Sequence, residues 1–281
     1  MALIGAGIGV VLLAITWYAA HYIGFIKRED VKILAGFAML HRPGLDRLTT
    51  FFANLCDPHR YIVLAAIPVI VALIRRRARV AVMIALVLLA ANETTQLLKP
   101  LLIAPRDPVY WQPISAGSWP SGHATAAMSL ALCSVIAAPP RWRPAVGAVM
   151  SAFAIVVAYS FLELGWHYPS DVFGGFLVAA TWTLLGIAGL SVYDARRVGG
   201  RPDDGRLRRS AGGGVSVLET LKPVALILSV AAFLAFLLVL AHPHGVVSYV
   251  RAHEAFVIGA SSIGVLGLML GWGLNLVLRR G

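Results

Sequence analysis

The sequence predicts an all-α fold, a polytopic membrane helical bundle, and three observations carry that prediction. Hydrophobic residues make up 59% of the 281-residue chain and charged residues only 13%, too apolar a balance for an ordinary soluble domain. The apolar residues gather into windows of the length that crosses a bilayer. Arginines gather between those windows, so the net charge of +11 fits membrane topology and anionic headgroups rather than nucleic acid. Cys56 and Cys133 are far apart and lack CxxC or CxxH neighbours, which excludes a disulfide framework and a zinc site.

The windows fall at 3–26, 59–74, 79–98, 121–138, 145–163, 171–192, 223–241 and 254–278, predicting eight spanning helices. The first follows no basic n-region and leads to no small-residue cleavage site, so it reads as an uncleaved span. The second is short; its helix is expected to start near Phe51, with Pro58 and Pro68 as kinks. Between these two, Leu45, Leu48, Phe52 and Leu55 recur at helical spacing among charges, the pattern of an interfacial amphipathic helix. Residues 194–221 are Gly- and Arg-rich, a cytoplasmic linker between a six-helix unit (1–193) and two further C-terminal transmembrane helices (222–281).

Orientation follows from the basic turns. Arg75, Arg76, Arg77 and Arg79, then Arg141 and Arg143, then six arginines between 196 and 209, then Arg279 and Arg280 fall on alternate turns and are expected in the cytoplasm. Residues 27–60 hold six Lys or Arg on the opposite side, accompanied by Glu29, Asp30, Asp46 and Asp57. This path places residues 99–120, the start of the helix at 121 and residues 164–170 on one outer face.

Three polar islands converge there: KPLLIAPRDP (99–108), PSGH (120–123) and SFLELGWHYPSD (160–171). Ser121, Gly122 and His123 occupy the first turn of a helix, where unpaired backbone N–H groups and the positive dipole end attract an anion. Gly122 permits close approach, and Lys99 and Arg106 add charge, the guanidinium able to grip two phosphate oxygens. Pro100 and Pro105 are expected to keep residues 99–108 irregular. Neutral His167 can attack phosphorus while Asp171 holds its other ring nitrogen. Protonated His123 can donate to the leaving oxygen and later take a proton from water. Such a pair requires two rings within about 10 Å of each other.

Lys99 and Arg106 with six residues between them, then Pro-Ser-Gly-His, then Ser160, His167 and Asp171 resemble the three-part signature of the type 2 phosphatidic acid phosphatase superfamily. The resemblance runs from about the second helix to residue 192 and implies a six-helix phosphatase core. It also implies catalysis by His167, His123 and Asp171, phosphate binding by Lys99, Arg106, Ser121, Gly122 and Ser160, and no metal or cofactor. Two positions depart from the signature. Asp107 separates Arg106 from Pro108, where it could pair with that arginine, and Phe161 stands where an Arg is usual. His59 or Arg60, before the second span, is the expected substitute for that cation.

The implied activity is hydrolysis of a lipid phosphate or diphosphate through a phosphohistidine at the extracytoplasmic face of a bacterial plasma membrane, with a polyprenyl or other cell-envelope lipid favoured. The alternatives are a lipid phosphotransferase and a degenerate member that binds or moves phospholipid without cleaving it. A two-His-one-carboxylate metal site on His123, His167 and Asp171 is disfavoured by the neighbouring cations. Glu93 and Glu163 are ionisable groups in apolar sequence, Glu93 either functional or paired with Lys99. Tyr110, Trp111, Trp119, Trp166 and Tyr168 read as an interfacial aromatic belt, and His242 and His244 as a solvated turn. Gly267 and Gly271 form a GxxxG that offers a helix-packing or homo-oligomer contact, and no nucleic-acid partner is expected.

Overall fold

The computed structural model describes residues 1–41, 44, 46–109, 113–198 and 243–280, and all regular structure among these is helical. The predicted span at 223–241, most of the linker, Leu45, Tyr110, Trp111 and His242 lie outside the described residues.

Helix α1 (Ala2–Tyr22) is apolar throughout and, at about 1.5 Å per residue, long enough to cross the hydrocarbon core. It ends earlier than predicted. Ile23 is extended (φ −92°, ψ 106°) and Gly24 opens a second helix, α2 (Gly24–Ala38). Hydropathy ran on through Phe25 and Ile26 and could not see the turn. In α2 the buried residues Asp30, Leu34 and Phe37 are spaced i, i+4, i+7, so one stripe faces the bundle.

The amphipathic helix is α3 (Asp46–Ala53), continued by one 3₁₀ turn (Asn54–Cys56). It meets α4 (Pro58–Ile74) at a 65° bend, with Pro58 in the first turn where its absent N–H costs nothing. Helix α5 (Ala78–Leu101) carries Lys99 and Pro100 in its last turn, so the irregular segment begins at Leu102 rather than at Lys99. A proline one turn from the end removes one hydrogen bond and leaves the rest of the helix intact.

Helix α6 (Gly122–Ala137) has 13 of its 16 residues buried, which makes it the centre of the bundle. At about 24 Å it is shorter than the hydrocarbon core. Helices α7 (Arg143–Glu163) and α8 (Pro169–Val198) pack on either side of it. The close approach of α8 depends on Gly175, where a Cβ would come within 2.6 Å of Ser121 O.

One end of the bundle is basic. Arg75 and Arg77 donate to Ala137 O and Ile136 O, satisfying carbonyls at the C-terminus of α6, and Arg79 pairs with Asp194 at 2.8 Å. The site lies at the opposite end.

A short α9 (Pro243–Ala252) precedes α10 (Glu254–Arg280). Helix α10 is part of the bundle rather than an appendage. Ile263 is fully buried, Tyr159 Oη donates to Ala260 O, and Phe256 packs edge-on to Phe37 of α2 at 5.0 Å. The GxxxG faces α7: added Cβ atoms would lie 2.8 Å from Ile155 at Gly267 and 2.2 Å from Ser151 Oγ at Gly271. Its small residues serve packing within the chain. Among the described residues, five helices (α1, α5, α7, α8 and α10) are long and apolar enough to cross a membrane, and a sixth span results if α3 and α4 count as one.

Candidate active site

The site is built around Asp171, one turn into α8 and fully buried. Pro169 starts that helix, so His167 stands just outside it and Asp171 within its first turn, four residues apart. Asp171 Oδ2 lies 3.2 Å from His167 Nδ1 and also accepts the Tyr168 N–H at 3.0 Å. Its backbone carbonyl accepts the Ser121 N–H at 3.0 Å, which ties the mouth of α6 to the start of α8. Ser121 caps α6 by accepting the Ala124 N–H at 3.3 Å, while Thr125 N bonds to Ser121 O. The first-turn N–H groups of Gly122 and His123 are thereby left facing outward.

His123 and His167 have ring centroids 6.2 Å apart, inside the limit that a single phosphoryl group can bridge. Lys99 adjoins them: a Cβ on Gly122 would lie 3.7 Å from Lys99 Nζ and 3.2 Å from Gln96 Nε2, so the bare glycine keeps that approach open. Lys99 has no carboxylate in ion-pair contact among the described residues. Phe161, fully buried, walls the pocket, its ring 5.3 Å from His167 and 5.9 Å from His123.

Other expected phosphate ligands are engaged elsewhere. Arg106 does not present its fork to the pocket. Its side chain is 5% exposed and donates to Asp171 Oδ1 at 2.6 Å, Ser170 Oγ at 3.0 Å and Ala20 O at 3.3 Å, with the guanidinium stacked 4.2 Å over the Tyr168 ring. A buried carboxylate needs a cation, and Arg106 is the one in reach of Asp171. Ser121 is fully buried and spends its hydroxyl on the cap, and Ser160 Oγ donates one turn back to Val156 O at 2.9 Å. His59 and Arg60 are exposed in the first turn of α4 and make no hydrogen bond with the site among the described residues. Asp107 pairs with Lys27 of α2 at 2.8 Å, not with Arg106.

The aromatic belt also needs correction. Trp119 (1% exposed) and Tyr168 (3%) are core residues, and Trp166 packs 5.6 Å from His123. Glu93 is exposed on a face of α5 away from Lys99 and lines an apolar groove against α8. Glu163 Oε1 lies 3.5 Å from His41 Nδ1, whose Nε2 is 3.4 Å from Asp46. His41 thus stands between the two carboxylates, one beside each ring nitrogen.

Two acidic residues join the site that pattern reading passed over. Asp30 of α2 accepts the Ser170 N–H at 3.0 Å and the Ser170 hydroxyl, and lies 3.7 Å from Arg106 Nη2. Burial pushes its carboxyl up to about 6, against the pull of Arg106 and Ser170. Asp57, just before α4, places Oδ1 3.2 Å from His123 Nε2. The signal for Asp30 was its i, i+4, i+7 register with Leu34 and Phe37; in a run of charges it read as surface.

Residues 78–192, which include α5 to α8, His123, His167, Asp171, Lys99 and Arg106, match the PAP2 superfamily. This region is a PAP2-superfamily region. The fold is similar to that of the transmembrane PAP2-type phosphatidylglycerolphosphate phosphatase from Bacillus subtilis, with a TM-score of 0.55 and 20% identity over 66% of this chain and 96% of that one. No curated protein sequence matches the chain. Asp30 and Asp57 lie outside the PAP2 region.

Proposed function

We propose that the protein is a multi-pass membrane phosphatase that hydrolyses a lipid phosphate or diphosphate at the outer face through a phosphohistidine. The observation that carries this reading is the pair of imidazoles 6.2 Å apart at the mouth of α6, one bonded to buried Asp171. His167 Nδ1 donates to Asp171, which leaves Nε2 with its lone pair for phosphorus. As the N–P bond forms, the bond to the lipid oxygen breaks and His123 protonates that oxygen. Neutral His123 then takes a proton from the water that cleaves the N–P bond, releasing phosphate and restoring both rings. Lys99 and the Gly122 and His123 N–H groups receive the phosphate oxygens. Arg106 acts one layer behind, pairing with Asp171 and holding it in place.

The arginines at the opposite end of the bundle support an extracytoplasmic pocket, since basic turns favour the cytoplasmic side. Apolar helices around the site favour a lipid substrate, in line with the phosphatidylglycerolphosphate phosphatase of similar fold. A polyprenyl or other cell-envelope lipid of a bacterial plasma membrane is the preferred substrate.

The decisive experiment is phosphate release by purified protein in detergent across a panel of lipid phosphates, with His167→Ala alongside. The reading expects turnover that survives EDTA, follows a bell-shaped pH profile and is absent from the variant. Turnover retained by His167→Ala, or a rate flat from about pH 5 to 9, refutes it. Release that requires an alcohol acceptor instead of water makes the protein a phosphotransferase.

A further inference from the structure

We infer that Asp57 is a positioning residue for the reaction: from outside the PAP2 region it holds His123 by Nε2 and so points Nδ1 at the leaving oxygen. The inference rests on the reading of His123 as general acid.

Three features of the geometry lead to it. Asp57 occupies the residue before α4, the place where an aspartate ordinarily accepts a backbone N–H of the first turn. It makes no such capping bond. Its Oδ1 instead lies 3.2 Å from His123 Nε2, a link between residues 66 positions apart. The carboxylate has therefore left its local partner for a distant imidazole.

The second feature is a correspondence between the rings. His167 gives Nδ1 to Asp171, and His123 gives Nε2 to Asp57. The other nitrogen of each, His167 Nε2 and His123 Nδ1, has no partner among the described residues. Each imidazole thus has one nitrogen fixed by a carboxylate and one free for chemistry. An Nε2–H that donates to Asp57 leaves Nδ1–H of the imidazolium as the transferable proton. His123 is the group that loses and regains the proton.

The third is electrostatic. Lys99 at the end of α5 brings positive charge to the mouth of α6, and Asp57 is the carboxylate in contact with His123 there. A general acid beside a cationic phosphate pocket needs such a counter-charge to be protonated when substrate arrives. The Asp57 side chain is 41% exposed, against none for Asp171, so the His123 pair stays in touch with bulk water and can be reprotonated between turnovers.

The test is the pH dependence of kcat/KM for Asp57→Asn, with Asp57→Glu and His123→Ala beside it. Asparagine keeps capping ability and removes only charge, so folding should be preserved, as a thermal melt will check. The alkaline limb, which reports loss of the acid's proton, should move to lower pH by roughly one unit in Asp57→Asn. KM should change little, and Asp57→Glu should return the limb toward its original position. A profile superimposed on wild type overturns the inference, as does a uniform loss at every pH that Asp57→Glu fails to restore. If instead His123→Ala still releases phosphate at the wild-type rate, it is the general-acid reading itself that fails.

Discussion

The two imidazoles at the mouth of α6 sit in unlike surroundings. His167 is held by a carboxylate that water does not reach, backed by buried Arg106 and a second buried acid, Asp30. His123 is held by a half-exposed carboxylate at a bend in the chain. A nucleophile needs a fixed tautomer and a fixed line of attack, which rigid burial supplies. A proton carrier must exchange with solvent once per turnover, which rigid burial would hinder. The same side chain is thus set up for two tasks by what lies behind it.

The sharpest way to break this comparison is to remove each ring in turn. His167→Ala should reduce phosphate release to background with every substrate, since no N–P bond can form. His123→Ala should lose about 10²–10⁴-fold on an alkyl lipid phosphate but much less on an aryl phosphate, whose leaving oxygen departs without a proton. Steady-state rates on the two substrate types check this. Equal losses on both would show that the two rings do not divide the work.

Next in size is the support behind His167. Arg106→Ala would leave Asp171 and Asp30 buried without a cation, a change that costs about 3–5 kcal/mol where it has been measured. The expected outcome is a protein with a much lower melting temperature in detergent and no activity. Full stability with only weakened substrate affinity would return Arg106 to the phosphate-gripping role read from the signature.

The contrast between the two rings also marks what pattern reading can see. The islands gave His123, His167, Asp171 and Lys99 because all four lie in short motifs whose spacing matches a helix mouth. The same spacing is silent on the partners of Arg106, since a motif does not say whether a guanidinium faces a ligand or a neighbouring carboxylate; only the fold brings Ser170 and Asp30 to it. Helix existence was legible from hydropathy, but the turn at Ile23 was not, because apolar residues continue on both sides of it. Asp57 was visible as one of four acids between the first two spans. Nothing local distinguished it from a solvated charge, because its partner is 66 residues away.

Away from the rings, the packing of α10 on α7 provides a control for stability without chemistry. Gly271→Val would drive a side chain into Ser151 and the Gly147 carbonyl, an overpacking that costs about 1–3 kcal/mol. The melting temperature should fall while kcat per folded molecule stays near wild type. A selective loss of kcat would mean that the strain travels to the site through the contacts of α10 with α6 and α8.

The smallest rate effect is expected at Asp30, and it separates charge from hydrogen bonding behind His167. Its carboxyl is raised from 3.8 to about 6, mainly by burial. Between those two values the unfolded chain has released this proton and the folded protein still holds it. The folded state is then favoured below about pH 4 and loses that advantage as pH rises to about 6, after which the contribution is flat. Asp30→Asn abolishes this term, so the stability of wild type relative to the variant should decline between pH 4 and 6 and not change above. Above pH 6 the charge on Asp30 serves Arg106, while the amide oxygen of the variant could still accept from Ser170, so Asp30→Asn should retain most of its activity. Thermal melts of both proteins across that window test the sign, and a difference that grows with pH would mean that Asp30 is ionised more readily in the fold than in the open chain, with Arg106 rather than burial setting its state.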